Sequence, residues 1–343
     1  MSRIAELSMT GISEQLDLLG LDETLRRLES SGLSMPHRNR VIAKVRAVYD
    51  IKTSTPDMDD LGFLHTGLAQ TSLPHSRPKL NSEPWMRSSG RFRLIVSPGV
   101  VTDEQDPTKP RYVGVPYGSK ARLILIYLQT EAVKSSSRTV SLGPNLSSFM
   151  RSLGLSSATG GKNGSITSVR EQCLRIAQCQ FTMQWTSTTE QGRQDIIQNT
   201  RLVDGLTLWS SSGGDKSWNG TVELSERFIE HLREHSMPLD KRALSQLSDN
   251  SLGLDLYTLL AYRLPKLKVP LLLRWGMLQE QIGTDYSRIR ALSEKVKDAL
   301  PDVKSVYPHA NVAMARGGIL LSPSPPAVQK TLVNGFTLLP GSS

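Results

Sequence analysis

Residues 114–133 read GVPYGSKARLILIYLQTEAV, residues 138–155 RTVSLGPNLSSFMRSLGL, residues 160–165 GGKNGS and residues 166–185 ITSVREQCLRIAQCQFTMQW. The spacing predicts a long apolar helix, a short strand over Val140 and Leu142, and a second helix entered through Pro144. A glycine-rich turn follows, then a third helix with apolar positions Ile166, Val169, Cys173, Ile176 and Ala177, capped by Ser165. Phe181, Met183 and Trp185 alternate as a strand, with Leu206, Leu208 and Trp209 as its expected wing partner and Thr186–Gln194 as a polar tip. This order is that of a winged helix-turn-helix. From Ser119 to Gln180 there are eight Lys and Arg against Glu131 and Glu171, so the stretch holds +6 of the chain's formal +9.

The same order returns after the Ser/Gly-rich break at Ser210–Gly214. Leu224, Phe228 and Leu232 mark a leading helix, and Asp240–Leu247 and Leu254–Leu264 are further helices. Val269–Leu273 is a strand, Trp275–Ile282 a helix ended by Gly283, and Asp285–Leu300 a helix on Tyr286, Ile289, Leu292, Val296 and Leu300. Asn311–Ala315 and Ile319–Leu321 form a hairpin turning at Gly317-Gly318. At the N-terminus, residues 13–33 and 36–51 read as two helices, with Leu18, Leu21, Leu25 and Leu28 as one stripe that either packs in a local hairpin on its own chain or is open to self-association. Lys52–Ser89 contains Pro56, Pro74, Pro78 and Pro84 and reads as a linker with little regular structure. The expectation is an α+β chain: helical segment 1–51, linker 52–90, tandem winged-helix domains 91–210 and 215–326, and a tail 327–343.

A length of 343 residues fits more than one core, because single cores rarely grow past about 250–300 residues. The basic excess points to a polyanionic partner, with its location more telling than its total. Cys173 and Cys179, six apart, fall on different helix faces, which argues against a disulfide or a metal pair and suits a reducing compartment. No signal segment and no apolar run of membrane-spanning length is present, so a soluble, cytoplasmic chain without membrane association is expected.

A major groove admits one helix, and residues opposite each helix's apolar face are the candidates to meet it. In the first module these are Ser168, Gln172 and Arg175, with Arg170 flanking; in the second, Ser287, Arg290 and Glu294, with Arg288 and Lys295 flanking. Lys162, Arg193 and Arg201 are candidate phosphate clamps. The bland alternative for each helix is a solvated polar face.

Three enzyme-like signals fare poorly. His231-Leu232-Arg233-Glu234-His235 has the spacing of an inverted zinc peptidase motif, but the apolar face of its helix carries neither histidine, so both are expected in solvent. Gly160-Gly161-Lys162 lacks the phosphate-loop pattern, with Ser156 where glycine is required and Asn163 where Ser or Thr is. No two histidines flank a single apolar residue as a nicking enzyme requires, and Tyr257 and Tyr262 sit on an apolar helix as core. No enzymatic activity, metal or cofactor is expected, the zinc peptidase reading of His231, Glu234 and His235 remaining the enzymatic alternative.

These residues resemble the RepA-type plasmid replication initiator family. The resemblance is carried by Val115-Pro116-Tyr117-Gly118, Thr130-Glu131-Ala132-Val133, Leu142-Gly143-Pro144-Asn145-Leu146, Phe149–Leu155 and Gly160-Gly161 followed by Gly164-Ser165-Ile166. It continues at Val222–Phe228, Leu254-Asp255-Leu256-Tyr257, Leu260–Pro265 and Leu278-Gln279-Glu280-Gln281, spanning roughly Arg91 to Pro326. It implies a protein that binds repeated sites in double-stranded origin DNA and works with a host replication initiator or helicase, without a reaction of its own. A DNA-binding transcriptional repressor shares every feature read from the residues alone.

Overall fold

A computed structural model describes residues 9–102, 106, 108–155, 164–189, 192–207, 220–283, 286 and 288–329. The chain begins with an antiparallel helical pair, α1 (Met9–Glu29) and α2 (Met35–Thr53). α2 starts with Pro36 in its first turn, where a missing N–H costs nothing, and buries Val41, Val45, Val48 and Ile51 along one face. In α1, Gly20 takes φ 73° and ψ 177°, outside helical geometry, which shifts the phase of the helix on either side. The expected leucine stripe is therefore not one face: Leu18 is 81% exposed, Leu28 is fully buried, and Leu21 and Leu25 pack partly against the core.

The segment expected to be an unstructured linker holds three elements, a correction to the sequence reading. β1 (Leu61–His65) is buried at every position and pairs antiparallel with residues 236–240. A five-residue strand with both faces covered has no alternation for a periodicity search to find. α3 (Thr66–Gln70) follows, its N-terminus capped by the His65 imidazole, which accepts from Gly67 N at 3.0 Å. β2 (Trp85–Ser89) pairs with β3 (Phe92–Ser97), whose alternating burial matches the sequence expectation. β4 (Val100–Thr102) and β5 (Pro110–Tyr112) form a separate two-stranded pair.

α4 (Gly118–Ser135) is buried along most of its length, as its run of Leu and Ile dictates. β6 (Thr139–Ser141) leads to α5 (Leu146–Ser152), where the Asn145 side chain accepts from Ser148 N at 2.8 Å. Gly154, at φ 74°, ends α5 with its N–H on Arg151 O and that of Leu155 on Met150 O. α6 (Ser165–Gln178) follows, then β7 (Gln180–Thr189), β8 (Gly192–Arg201), β9 (Val203–Thr207) and β10 (Thr221–Leu224). β7 pairs with β3 and β8, making a sheet of order β2-β3-β7-β8. The expected pairing of Phe181–Trp185 with Leu206 is replaced: Leu206 lies in β9, opposite Val222 of β10, in a sheet of order β6-β10-β9. Leu208 and Trp209 lie outside the described residues.

α7 (Glu226–His235) is capped by Ser225, and β11 (Ser236–Asp240) supplies the partner of β1. α8 (Lys241–Gln246) and α9 (Ser251–Arg263) begin at Asp240 and Asn250, whose side chains accept from Arg242 N and Gly253 N at 2.9 Å each. β12 (Leu271–Arg274), α10 (Trp275–Leu278), a π-helical turn (Gln279–Gly283), α11 (Ile289–Val306), β13 (Val312–Ala315) and β14 (Gly318–Leu321) complete the described chain. The hairpin turns at Gly317, φ 89°, and a side chain on Gly318 would run into Leu273 O, so the close β12–β14 approach requires glycine there.

The architecture is α+β, with a helical pair ahead of small antiparallel sheets. Two segments repeat one order: long helix, short strand, two helices, two strands (α4 to β10 and α9 to β14). In both, the first strand pairs with the last, and the last with the one before it, giving orders β6-β10-β9 and β12-β14-β13. The first copy differs by the β7–β8 hairpin inserted after α6. One continuous cluster of buried side chains runs from Ile12 to Leu321. No described helix is long and apolar enough to cross a membrane.

Candidate nucleic-acid interface

α11 is amphipathic with a single covered face. Leu292, Val296, Ala299, Leu300 and Val303 are buried, and that phase turns Arg290, Glu294 and Lys297 outward at spacings of four and three. Arg290 and Glu294 are strongly exposed and pair at 3.0 Å, a bond of a few tenths of a kcal/mol on a helix surface. Arg288, at the N-cap, and Lys295 are exposed beside them. Ser287 lies outside the described residues. Two exposed cations were missed in the sequence reading, Lys297 and the turn residue Arg316. Lys297 was legible, lying seven residues beyond Arg290 and so on the same stripe.

α6 is different, and two of its expected groove-facing residues point inward. Gln172 is buried and accepts from Tyr117 N at 2.9 Å. Arg175 is 2% exposed; its guanidinium donates to Val115 O at 3.0 Å and pairs with Glu171 at 2.9 Å, under the Tyr117 ring. The cause is a second covered side. Chain from before α4 lies along the helix so closely that a side chain on Gly114 would collide with the Arg175 guanidinium, and one on Gly99 with Gln178 O. An argument from one apolar stripe assumes one covered face, and here the polar flank is covered too. Thr167 is exposed, and Ser168 and Arg170 are half-buried near the N-terminal end of α6. Lys162 and the side chain of Arg193 lie outside the described residues; Arg201 is exposed at the end of β8.

The histidine motif on α7 also departs from its expected placement. His235 is exposed as expected, but His231 is half-buried: its Nδ1 lies 2.7 Å from His65 Nε2 and the two rings stack, with Trp185 and His235 against them. His65 Nδ1 already accepts from Gly67 N, so Nε2 carries the proton and donates to His231. Burial, reinforced by the neighbouring histidines, lowers His65 to about 3 and His231 to about 4. Glu234 stays in solvent, 76% exposed. Among the described residues no group of three or more His, Cys, Asp or Glu is placed to hold a metal ion. Cys173 and Cys179 are free and buried, and burial pushes their thiols up to about 12 and about 11.

The repeated segments are joined through a buried ionic cluster. Arg122 of α4 meets Asp255 of α9 in a two-pronged pair at 2.6 and 2.7 Å, and donates to the carbonyls of Leu73, Pro74 and Gly118. His75 adds a third contact to the carboxylate at 2.7 Å. Burial alone raises a carboxyl, but Arg122 and His75 outweigh it and hold Asp255 below its ordinary value.

Comparison with solved structures finds domains 2 and 3 of RctB twice. One is 12% identical with a TM-score of 0.49, covering 75% of this chain and 96% of that one. The other is 12% identical with a TM-score of 0.46, covering 74% and 94%. No curated protein matches the sequence. The family model described as plasmid encoded RepA protein matches residues 115–270, from the residue that accepts from Arg175 to the approach of β12. Over that region the chain is similar to the plasmid-encoded RepA family.

Proposed function

We propose that the chain is a plasmid replication initiator that binds repeated sites in double-stranded origin DNA through two winged-helix domains, 91–210 and 215–326. The observation that carries this reading is the exposed basic stripe of α11, on the third helix of a helix–strand–helix–helix–strand–strand order that occurs twice with one strand order. That order fits a winged helix, whose helix-turn-helix lays its second helix, the third in this order, in the major groove. Similarity to the RepA family over residues 115–270 supports replication as the setting, with a host initiator or helicase as the protein partner and no reaction by the chain itself.

In this reading Arg290 and Glu294 read base edges, and Arg288, Lys295, Lys297 and Arg316 hold phosphates. The first module presents Ser168 and Arg170, with Lys162 beside them in sequence. Anisotropy titrations of DNA flanking the chain's own gene against shuffled DNA, at several salt concentrations, test the division. Arg290→Ala is expected to cost about 1–3 kcal/mol on the specific site and little on shuffled DNA, whereas Lys295→Ala weakens both and reduces the salt slope by about 1. Equal losses on both DNAs for Arg290→Ala would overturn the base-reading role. Arg175→Ala behaves differently, lowering the unfolding midpoint while leaving the ratio of specific to shuffled affinity unchanged.

A further inference from the structure

The outer face of the β12-β14-β13 sheet has a composition unsuited to DNA. The register sets Leu272, Leu320 and Ala313 side by side across it. Leu272 and Leu320 are 38% and 37% exposed. The next row is Arg274, Gly318 and Ala315. Contiguous apolar surface of this kind marks a protein contact, because hydrocarbon gains nothing against phosphates.

Charge specifies the partner. Residues 263–279 and 303–343, which include all three strands, contain Arg263, Lys266, Lys268, Arg274, Lys304, Arg316 and Lys330 and no Asp or Glu. Lys268, Arg274 and Arg316 are exposed and have no ion-pair partner among the described residues. The edge strand β12 is guarded by Lys268 and Pro270 at its entry and Arg274 at its end, the usual means of blocking strand addition. An extended peptide therefore cannot gain main-chain bonds at that edge, whereas a helix brings its own. We propose that this face binds an acidic amphipathic helix of a partner protein, leucine-type side chains on Leu272 and Leu320 and carboxylates toward Lys268 and Arg274. The assignment stands without the DNA reading, since none of its contacts lies on α11.

The test uses the full chain and two labelled synthetic helical peptides, identical in a leucine stripe and differing only in Glu or Lys on its flanks. Saturable binding of the Glu peptide at least tenfold tighter than the Lys peptide is expected. A Leu272→Ser/Leu320→Ser variant should bind the Glu peptide at least fivefold more weakly with its unfolding midpoint and DNA affinity unchanged. Should that variant fail to fold, Lys268→Glu replaces it, with a threefold or greater loss expected. Equal binding of the two peptides, no saturable binding, or unchanged affinity in the folded variant would overturn the proposal. Loss of DNA affinity in place of peptide affinity would assign the face to DNA and overturn it equally.

Discussion

Asp255→Ala is expected to destabilise the protein by about 3–5 kcal/mol, the cost of removing one partner from a buried ion pair. The loss is large because Arg122 keeps its charge and its burial when the carboxylate goes. The three backbone carbonyls it also serves satisfy its N–H groups without neutralising it. His75 loses its contact with the carboxylate in the same step. Because α4 and α9 carry the two halves of the pair, and lead the two repeated segments, the substitution loosens the contact between them as well as each alone. Urea unfolding of wild type and variant measures the cost. The joint replacement Arg122→Met/Asp255→Leu removes both charges and should recover most of the loss. A single variant costing under about 1 kcal/mol would show that the cluster does not hold the segments together.

The second large effect is a loss of stability on mild acidification. His65 titrates at about 3 in the folded chain against an ordinary 6.5. Below pH 6.5 the unfolded chain takes up a proton that the folded chain refuses until about pH 3. Stability is therefore full above 6.5 and declines as pH falls, by about 1.4 kcal/mol per pH unit for this group. Between pH 6.5 and 4.5 the decline amounts to about 2–3 kcal/mol. His231, lowered to about 4, adds to it with the same sign. Asp255, held below its ordinary value, contributes nothing over that window, since it loses stability only at more acid pH. His65→Asn keeps an acceptor for Gly67 N and removes the titration. Urea midpoints from pH 4.5 to 7.5 should show a shallower slope for the variant, although it is less stable at pH 7.5. Identical slopes would contradict the assignment.

These two clusters were the parts of the fold least legible in the sequence. His65 and His231 are 166 residues apart and meet because β1 pairs with β11, a pairing hidden in a segment whose prolines read as a linker. The second repeated segment was legible almost throughout. α11, with one covered face, and the β13–β14 hairpin follow from apolar spacing and the Gly317-Gly318 turn, although α11 runs Ile289–Val306 in place of 285–300. α9, buried on every side from Leu252 to Leu260, follows from its apolar run. α6 shows where such reading fails. Its apolar stripe was identified correctly, but its polar flank is covered by earlier chain, so the side opposite the core is not the whole of what is buried. The leucines of α1 failed for a smaller reason, one glycine outside helical geometry. In the candidate interface, Arg290, Glu294, Arg288 and Lys295 stand on the exposed side as spacing indicated, whereas Gln172 and Arg175 are structural.

Footprinting of the full chain on the DNA flanking its own gene tests the central claim most directly. Two winged-helix modules on one face of the duplex should protect repeated sites with contacts about 10–10.5 bp apart, and Arg290→Ala should remove one cluster of contacts within each site and leave the other. Protection no stronger than on random DNA at the same salt concentration would contradict it.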